Sequence, residues 1–559
     1  MFFANNQTSK INLPKGNHIK KWAVCIALVL FGIVFFLHWS AQKEVWFCDE
    51  IYTFESAHGM EQSWPASNTA QWMTGEDMEA FFSADSDSLS LEWISNSLYN
   101  DHVPLYFWLF RIVAFLGFKG SSTLWTGYTI NLFFYLLFLV IGYHFFVHLT
   151  KKPLAAGGII LISSIVNKIM IAQTTTIRMY MMLAWAELIL VIIGLKILHD
   201  KDQGKLKAGT YIYLCLFSVI GLLTHYDYWI FYAITAALFC SWLLFLAFKK
   251  KKTFFFKTTE FKCVLAWVGN FCTSLLLTIL IFPYCRWNLN RGKGQTALHS
   301  VFVFSSEKVE NIAWGARRLS ASIFGDSFSP ILGLLLVFLC IAGAAIVLYK
   351  KKEHAKASAM ILMVLISLGY QFVVCFTMPD VNEERYLWGA FTFIHMCLIW
   401  SGYLLIDVLL IRLKDVKIHS ICSGLLYICF SVFLLFTQFK TIDGGNGIPY
   451  LFHPYKDVAA LESHSDLPWV VYGPTLGVYS YYDWLIPEQI CFLSPDNTAD
   501  DAAAVSELQD DKSFILYTHE DYLPLALAFF EQELGKELSG DFLTTSTNLT
   551  VYVVSETTE

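Results

Sequence analysis

Charged residues are scarce in this 559-residue chain, because Asp, Glu, Lys and Arg together account for only 15% of it. Soluble globular domains carry about 25% charged residues, so the polar side chains here are too few to cover a soluble fold. Hydrophobic residues reach 56% and the mean hydropathy is +0.50. Apolar runs of about 18 or more residues recur along the chain. These features exclude a soluble, disordered or collagen-like protein and indicate a polytopic membrane protein.

Signatures of the common hydrolases are also missing. The chain has no Walker A, GxGxxG, HExxH, paired CxxC or GxSxG motif in a supporting context, so nucleotide hydrolysis, zinc proteolysis and serine hydrolysis have no motif to support them. Most of the 13 cysteines lie within apolar runs, which is typical of small buried hydrophobes and not of disulfide pairs. The lack of an internal repeat disfavours a transporter built from inverted halves.

The charges that are present are unevenly distributed. Residues 441–559 hold 20 of the 46 acids but only three of the 39 Lys and Arg residues. The rest of the chain is therefore net basic, which predicts a basic membrane part and an acidic soluble tail in different compartments. This distribution does not suggest a nucleic acid as a partner.

The first apolar run, residues 22–39, follows a lysine-rich segment. It is longer than the 7 to 15 apolar residues of a signal peptide and lacks a small-x-small cleavage site, so we expect a retained helix and not a cleaved signal. The basic flank predicts that residues 1–21 form a cytoplasmic segment. The acidic segment 40–103 is then expected to be the first extracytoplasmic loop.

Eleven further apolar segments predict membrane spans, and basic clusters after alternate segments predict cytoplasmic loops from residue 178 onward. An outward loop at 40–103 and an outward turn at 173–178 require an even number of crossings between them, but three segments lie there. Either the short segment 104–118 does not cross or 124–172 includes a re-entrant piece. The segments are 104–118, 124–148, 153–172, 178–198, 210–223, 226–248, 262–284, 330–349, 357–377, 386–411 and 418–439.

The predicted fold class is therefore an all-α polytopic membrane protein with about 11–13 transmembrane helices within residues 22–440. Residues 441–559 show short β-like runs separated by Gly, Pro and Asp turn signals, with a helical pattern at 523–534. This alternation predicts a small soluble α/β domain on the extracytoplasmic side.

Asp49 and Glu50 form the sharpest polar feature, because they are adjacent, flanked by aromatic residues and close to the end of the first helix. A carboxylate near hydrocarbon loses hydration, which raises its pKa unless a cation or metal offsets the loss. Such a group is suited to proton abstraction or to metal binding. The alternative is an ordinary acidic loop beside the membrane, and composition alone favours that alternative.

Four further polar elements interrupt apolar runs on the same predicted side. Asp101 and His102 precede Pro104 at a helix start, where the helix dipole favours an anion and where Asp101 is equally suited to capping. Each of the other elements is as typical of a helix anchor at the membrane edge as of a site. Their shared side predicts a polar site with access to lipid. The three elements besides Asp101 and His102 are Arg178 with Tyr180, His225 with Tyr226, and Arg385 with Tyr386.

The segment 287–329 carries several cations on the side where the positive-inside rule expects few. They are Arg291, Lys293, Lys308, Arg317 and Arg318. Such cations suit an anionic lipid head, particularly a phosphate, and an ordinary solvated loop explains them equally well.

Taken together, the acid pair, the acid-x-x-Pro element, the Arg-x-Tyr element, the Thr-His-Tyr element and the soluble tail resemble the GT-C superfamily of polyprenyl-phosphate-sugar-dependent glycosyltransferases. The pattern is most similar to the protein O-mannosyltransferase and aminoarabinose transferase group, and it covers roughly residues 20–440. Two departures concern Val103, where many relatives have proline, and the threonines 174–176, which replace polar or acidic residues.

The resemblance implies that Asp49 activates the acceptor hydroxyl, that Glu50 supports it, and that Asp101 positions the acceptor or a metal. It leaves open a divalent metal ion held by Asp49 and Asp101, and it implies no other cofactor. The substrate-binding residues that it implies are His102, Arg178, Tyr180, His225, Tyr226, Arg385 and Tyr386, with Arg385 meeting the carrier phosphate.

The implied function is transfer of a hexosyl or pentosyl group from a polyprenyl-phosphate carrier to an extracytoplasmic lipid, glycan or protein acceptor, with inversion. A bacterial plasma membrane is the expected location. The alternatives are a transporter or flippase of lipid-linked sugars, a surface polysaccharide polymerase, and a structural protein that acts through its acidic tail. A transporter would place its ionisable groups nearer the bilayer midplane.

Overall fold

The computed structural model describes most of the chain, including nearly all of the predicted membrane part. The predicted segment 1–21 and loop 40–103 lie partly outside the described residues. The described residues are 15–43, 47–59, 70–82, 98, 102–118, 123–250, 254–288, 295, 300, 303, 305–378, 383–410, 416–442, 448, 451, 458–473, 487–546 and 549–557.

The described part of the chain is mainly helical. In chain order its α-helices are α1 (Lys15–Ser40), α2 (Cys48–Phe54), α3 (Gly75–Phe82), α4 (Leu105–Gly117), α5 (Trp125–Thr150), α6 (Pro153–Ile160), α7 (Lys168–Thr175), α8 (Tyr180–Asp202), α9 (Ala208–Leu222), α10 (Tyr226–Lys250), α11 (Thr259–Ile281), α12 (Cys285–Asn288), α13 (Ser306–Phe324), α14 (Pro330–Lys350), α15 (His354–Thr377), α16 (Trp388–Leu409), α17 (Val416–Ile442), α18 (Val458–Glu462), α19 (Ala499–Ser506) and α20 (Leu523–Leu534).

Nine of the described helices are long and apolar enough to cross a membrane, namely α1, α5, α8, α10, α11, α14, α15, α16 and α17. The pair α6 and α7 qualifies as one further span with a 60° bend, and α4 and α9 are shorter apolar helices. Each of the twelve predicted apolar segments thus corresponds to one helix or bent pair. The predicted all-α membrane fold with a small C-terminal sheet region is confirmed.

The helices run between two faces of the bundle. At one face, Lys201 of α8 and Lys250 of α10 both form ion pairs with Glu260 at the start of α11. At the other face, the ring of Tyr180 at the start of α8 lies 5.1 Å from that of Trp388 at the start of α16. We call the first the lysine face, defined by Lys201, Lys250 and Glu260, and the second the site face, defined by Tyr180 and Trp388.

Helix α4 lies at the site face instead of crossing the bundle. The Leu105 amide donates a hydrogen bond to the carbonyl of Leu223 (3.1 Å), and Arg111 Nη1 donates to the carbonyl of Ala57 (2.8 Å). At about 1.5 Å per residue its 13 residues span about 20 Å, which is less than the roughly 30 Å of a hydrocarbon core. The segment 104–118 is therefore the one of the three segments that does not cross the membrane, and the prediction of a span there is wrong.

The bend between α6 and α7 follows from local polar residues. A π-helical turn at Leu161–Ile165 ends α6, and the side chain of Asn167 caps α7 by accepting from the amides of Ile169 and Met170. The Tyr135 hydroxyl donates to the freed carbonyl of Ser164 at 3.0 Å. These side chains supply hydrogen bonds to backbone groups at the break in the helix. Irregular backbone at membrane depth requires such partners.

Helix α13 replaces part of the loop expected at 287–329. Its Lys308 is buried, donates to the carbonyl of Ser300 and lies 4.1 Å from the ring centre of Phe376. Arg318 forms ion pairs with Glu384 (2.7 Å) and Asp326 (3.1 Å). Both cations therefore have partners in the protein. Arg291 and Lys293 lie outside the described residues.

The C-terminal region contributes five strands, and the first loop one strand, to a six-stranded sheet of order β1-β3-β2-β4-β6-β5. Its strands are β1 (Trp72–Thr74), β2 (Trp469–Tyr472), β3 (Gln489–Leu493), β4 (Ser513–Thr518), β5 (Leu538–Ser546) and β6 (Leu549–Glu556). Strand β2 pairs in parallel with β3 and β4, and the other pairs are antiparallel.

The two faces of this sheet have different partners. Val470 and Tyr472 pack with α19 and α20, whereas Trp469 and Val471 belong to the core that continues into the membrane helices. Strand β1 comes from the first loop and pairs with β3, a contact that sequence reasoning did not predict. The sheet is thereby joined to the membrane part.

Candidate active site

The backbone just before Arg178 is held by side chains from three other segments. Asn131 of α5 donates to the carbonyls of Thr174 (3.0 Å) and Thr176 (2.7 Å). Lys43 donates to the carbonyl of residue 175 (3.2 Å), and Thr53 of α2 donates to that of residue 177 (2.9 Å). Four consecutive carbonyls therefore accept side-chain hydrogen bonds, which fixes the position from which Arg178 projects.

Glu50 connects α2 to the same segment. Its carboxylate accepts hydrogen bonds from the amides of Phe47 and Ile177, each at 2.7 Å, and pairs with Lys43 Nζ at 2.6 Å. The side chains of Glu50 and Lys43 are fully buried. Burial raises the pKa of Glu50, and Lys43 opposes that rise. These buried contacts connect α2 to the backbone that precedes Arg178.

Asp49, by contrast, points towards two arginines. Its Oδ2 atom lies 3.3 Å from Arg385 Nη1 and 3.9 Å from Arg178 Nε. All three residues are less than a tenth exposed. Partial exclusion of water strengthens the attraction between these charges relative to the same pairs at a surface. The cluster carries two cations and one anion, and it lies at the ends of membrane helices.

Arg178 is oriented by neighbours on several sides. Its Nη1 donates to Thr53 Oγ1 (3.2 Å), its Nη2 lies 3.4 Å from His102 Nε2, and its guanidinium lies 5.9 Å from the ring centre of Phe107. Because arginine only donates, His102 Nε2 accepts in this contact. Among the described residues, Nε of Arg178 is buried and has no hydrogen-bond partner. An anionic ligand would supply the missing acceptor.

Arg385 lies between two aromatic rings. Its guanidinium is 4.9 Å from the ring centre of Phe47 and 5.2 Å from that of Tyr386, and its Nη1 lies 3.5 Å from Glu383 Oε2. Cation–π contacts of this kind hold a guanidinium in place without occupying its hydrogen-bond donors. The two rings therefore hold the Arg385 guanidinium beside Asp49.

Tyr180 and His225 lie beside the arginine cluster. Their ring centres are 5.7 Å apart, and His225 is within electrostatic reach of Asp49, Arg178 and Arg385. Burial lowers the pKa of His225. The Asp227 amide donates to His225 Nδ1 at 3.0 Å, and the Asp227 carboxylate lies 3.4 Å from the same nitrogen.

Two of the predicted site residues are not placed in this cluster. The Tyr226 hydroxyl accepts a hydrogen bond from Asn288 (2.9 Å), and its ring packs with Leu223 and Phe282. Asp101 lies outside the described residues. Of the predicted set, the described structure brings together Asp49, His102, Arg178, Tyr180, His225, Arg385 and Tyr386, with Glu50 behind them.

Sequence reasoning missed several residues that build the site. Thr53 follows Asp49 by one helical turn, a spacing that could have flagged it, but nothing local indicated Asn131 or Lys43. Glu55, in the π-helical turn Glu55–Gly59, was also missed. Burial raises the pKa of the Glu55 carboxyl to about 7, and the charge of Arg178 opposes the rise.

A divalent metal ion held by Asp49 and Asp101 stays a prediction, because Asp101 lies outside the described residues. No three His, Cys, Asp or Glu side chains within the described ranges come together as a metal-binding group. The nearest charged neighbours of Asp49 are guanidinium groups, which compete with a metal for its oxygens.

Three solved structures match this chain with TM-scores below 0.5. ArnT from Cupriavidus metallidurans in the apo state has 11% sequence identity and a TM-score of 0.45 over 95% of this chain and 98% of that one. The Archaeoglobus fulgidus oligosaccharyltransferase in the apo form has 11% identity and a TM-score of 0.43 over 94% of this chain and 74% of that one. The archaeal oligosaccharyltransferase AglB, in complex with an inhibitory peptide and a dolichol-phosphate, also has 11% identity, with a TM-score of 0.41 and the same coverage.

These solved structures are GT-C glycosyltransferases, the superfamily that the sequence resembles. At 11% identity and TM-scores below 0.5, they assign neither a substrate nor a reaction to this chain. No protein-family model and no curated protein sequence matches the chain.

Proposed function

We propose that this protein is a membrane glycosyltransferase that moves a sugar from a polyprenyl-phosphate carrier to an acceptor hydroxyl at the site face. The observation that carries the proposal is the position of Asp49, whose carboxylate lies between Arg178 and Arg385 at the ends of membrane helices. The carboxylate can remove the proton of an acceptor hydroxyl, and the two guanidinium groups can bind a phosphate.

The donor phosphate enters as a ligand of the two arginines. In its absence Asp49 pairs with both guanidinium groups, and a bound phosphate replaces the carboxylate as their partner. Asp49 is then available to accept the proton of the acceptor hydroxyl. The acceptor oxygen forms a bond to the anomeric carbon while the bond from that carbon to the phosphate oxygen breaks, which inverts the configuration.

The leaving group is a polyprenyl phosphate, and its additional negative charge stays beside Arg178 and Arg385. Donors that are already oriented towards a developing charge stabilise the transition state, each by about 3 to 4 kcal/mol in comparable oxyanion sites. The neutral His225 ring has one N–H group with which it can donate a hydrogen bond to the sugar or phosphate. No step requires a metal ion.

The membrane orientation follows from the lysines at the helix ends. The lysine face carries Lys201 and Lys250 together with the exposed Lys351 and Lys352. The positive-inside rule assigns such a face to the cytoplasm. The site face and the C-terminal sheet are then extracytoplasmic, and the proposed location is a bacterial plasma membrane. An acceptor outside the cell membrane, whether a lipid, a glycan or a protein, reaches Asp49 from that side.

The proposal is tested with the purified full-length protein in liposomes. Polyprenyl-phosphate donors carrying different hexoses and pentoses are supplied together with membrane extract as acceptor, and products are identified by mass spectrometry. A sugar-sized mass increase on one acceptor class, with release of polyprenyl phosphate, is the expected result. Movement of intact donor between leaflets without release of polyprenyl phosphate would instead identify a flippase.

A further inference from the structure

A cavity lined by both polar and apolar residues lies at the lysine face. It has a volume of about 480 Å³ and is bordered by the ends of α5, α8 and α10 and by the starts of α11 and α15. Tyr180 at the site face and Lys201 at this cavity are on the same helix. At about 1.5 Å per residue the two are about 30 Å apart along that helix, so the cavity is separate from the arginine cluster.

The cavity wall is cationic on one side. Five lysines and two acids line it, together with His148, His199 and His354. Lys196, Lys201, Lys250 and Lys356 each have a carboxylate partner. The described residues provide Lys151 with no such partner. Lys151 is an exposed residue, although partial desolvation and the charge of Lys356 lower the pKa of its ammonium group, and a bound anion would offset the repulsion from Lys356.

The start of α15 adds hydrogen-bond donors. His354, Ala355 and Lys356 form its first turn and line the cavity. The Lys356 amide donates to the carbonyl of Glu353 (3.0 Å), whereas the first amides of a helix, here those of His354 and Ala355, have no intrahelical acceptors. The first turn contains no acid, and the N-cap residue Glu353 makes no side-chain cap hydrogen bond. Lys356 of this turn pairs with Glu353 (3.0 Å), and an anion in the cavity would give its ammonium group a second acceptor.

The remaining wall is apolar. Phe145, Leu149, Ile192, Leu195, Trp242 and Leu246 line it, and these residues belong to membrane-crossing helices. Free phosphate or a soluble anion would gain nothing from such a surface, whereas an acyl chain attached to a phosphate would bury against it. Basic pockets between membrane helices on the cytoplasmic side bind the head groups of anionic lipids.

We propose that this cavity binds the phosphate head group of an anionic membrane phospholipid, with Lys151, Lys356 and the first turn of α15 contacting the phosphate and an acyl chain lying on the apolar wall. The site is independent of the proposed sugar transfer. Its ligand belongs to the leaflet opposite to the one that meets Asp49.

The test measures lipid binding to the delipidated full-length protein in neutral detergent. Phosphatidylglycerol and phosphatidylcholine with identical acyl chains are titrated separately, and bound lipid is counted by native mass spectrometry while the Tm is followed by tryptophan fluorescence. We expect phosphatidylglycerol to bind at least tenfold more tightly than phosphatidylcholine. Equal binding of the two lipids would overturn the proposal.

The variant Lys151→Gln/Lys356→Gln should reduce the preference for phosphatidylglycerol at least fivefold. Lys351→Gln/Lys352→Gln is the matched control, because it removes the same charge from the same face at residues that do not line the cavity. An equal loss in both variants would indicate only general attraction to the face. If the double variant does not fold, Lys151→Gln alone is used, since Lys151 lies at an exposed helix end. A Tm rise of the same size with inorganic phosphate alone would show a free-phosphate site and contradict the lipid assignment.

Discussion

Asp49 Oδ2 lies 3.3 Å from Arg385 Nη1, and this ion pair connects the segment after the first membrane helix to the start of α16. The neighbouring Glu50 takes no part in it, because its carboxylate is fully buried against Lys43 and the amide of Ile177. Two adjacent acids therefore have different tasks. Asp49 faces Arg178 and Arg385, and Glu50 holds the backbone that precedes Arg178.

Replacement of Asp49 by asparagine should abolish most sugar transfer and leave the fold intact. Loss of a general base costs about 10²- to 10⁴-fold in rate, so turnover with a polyprenyl-phosphate donor should fall by that factor. The elution profile and Tm should stay close to wild type. Glu76→Gln, which changes an exposed acid of the same loop, is the control. Full turnover by Asp49→Asn would remove this residue from the mechanism.

Replacement of Arg385 by alanine should weaken use of the donor more than use of the acceptor. Hydrogen bonds to charged groups are worth about 1.5 to 3 kcal/mol, which corresponds to a rise in the donor KM of roughly 10- to 100-fold. Arg317→Ala, an exposed arginine of α13, should leave both KM values unchanged. If Arg385→Ala raises the donor and acceptor KM values equally, Arg385 is not specific for the phosphate.

Replacement of Glu50 by glutamine should destabilise the protein. The change removes the carboxylate that neutralises buried Lys43, and breaking a buried ion pair costs about 3 kcal/mol or more in free energy of unfolding. The Tm should therefore fall, as measured by tryptophan fluorescence. The double variant Lys43→Met/Glu50→Gln should recover part of the loss, because no buried charge remains. A single variant as stable as wild type would show that Glu50 does not anchor this segment.

The donor KM should depend on pH through Glu55. Its pKa, raised by burial to about 7, makes the carboxyl neutral below that pH and anionic above it. An ionised Glu55 competes with the donor phosphate for Arg178, so the donor KM should increase severalfold between pH 6 and pH 8. The donor is a phosphodiester and keeps its charge over this range. Glu55→Gln should make the KM independent of pH, whereas Glu76→Gln should retain the wild-type slope.

Replacement of Gly127 by alanine should displace the segment that carries Arg178. A Cβ atom at Gly127 would overlap Cγ2 and lie 3.0 Å from Cβ of Ile177, whose amide and carbonyl are both hydrogen-bonded. Overpacking of this kind costs about 1 to 3 kcal/mol, so both Tm and turnover should fall. Gly127→Ala/Ile177→Ala should restore much of the Tm. If the double variant is no more stable than Gly127→Ala alone, contact with Ile177 is not the cause.

The positions of the membrane helices follow from the sequence because hydrophobic length is a local property. Each of the twelve predicted apolar segments coincides with a helix or a bent pair. The same reasoning failed for α4, whose composition suits a span but whose hydrogen bonds to Leu223 and Ala57 keep it at the site face. It also missed α13, because a polar, amphipathic segment has no long apolar run to reveal it.

The sequence by itself determined that the protein crosses a membrane many times and that acids and arginines stand at the helix ends of one predicted side. Only the tertiary structure decided that Asp49 meets Arg178 and Arg385, that Glu50 and Asn131 hold the intervening backbone, and that a strand from the first loop joins the C-terminal sheet. The physical reason is that these contacts join residues far apart in the chain. Apolar spacing and charge bias act over one segment, whereas the direction of a side chain depends on which distant segments pack beside it.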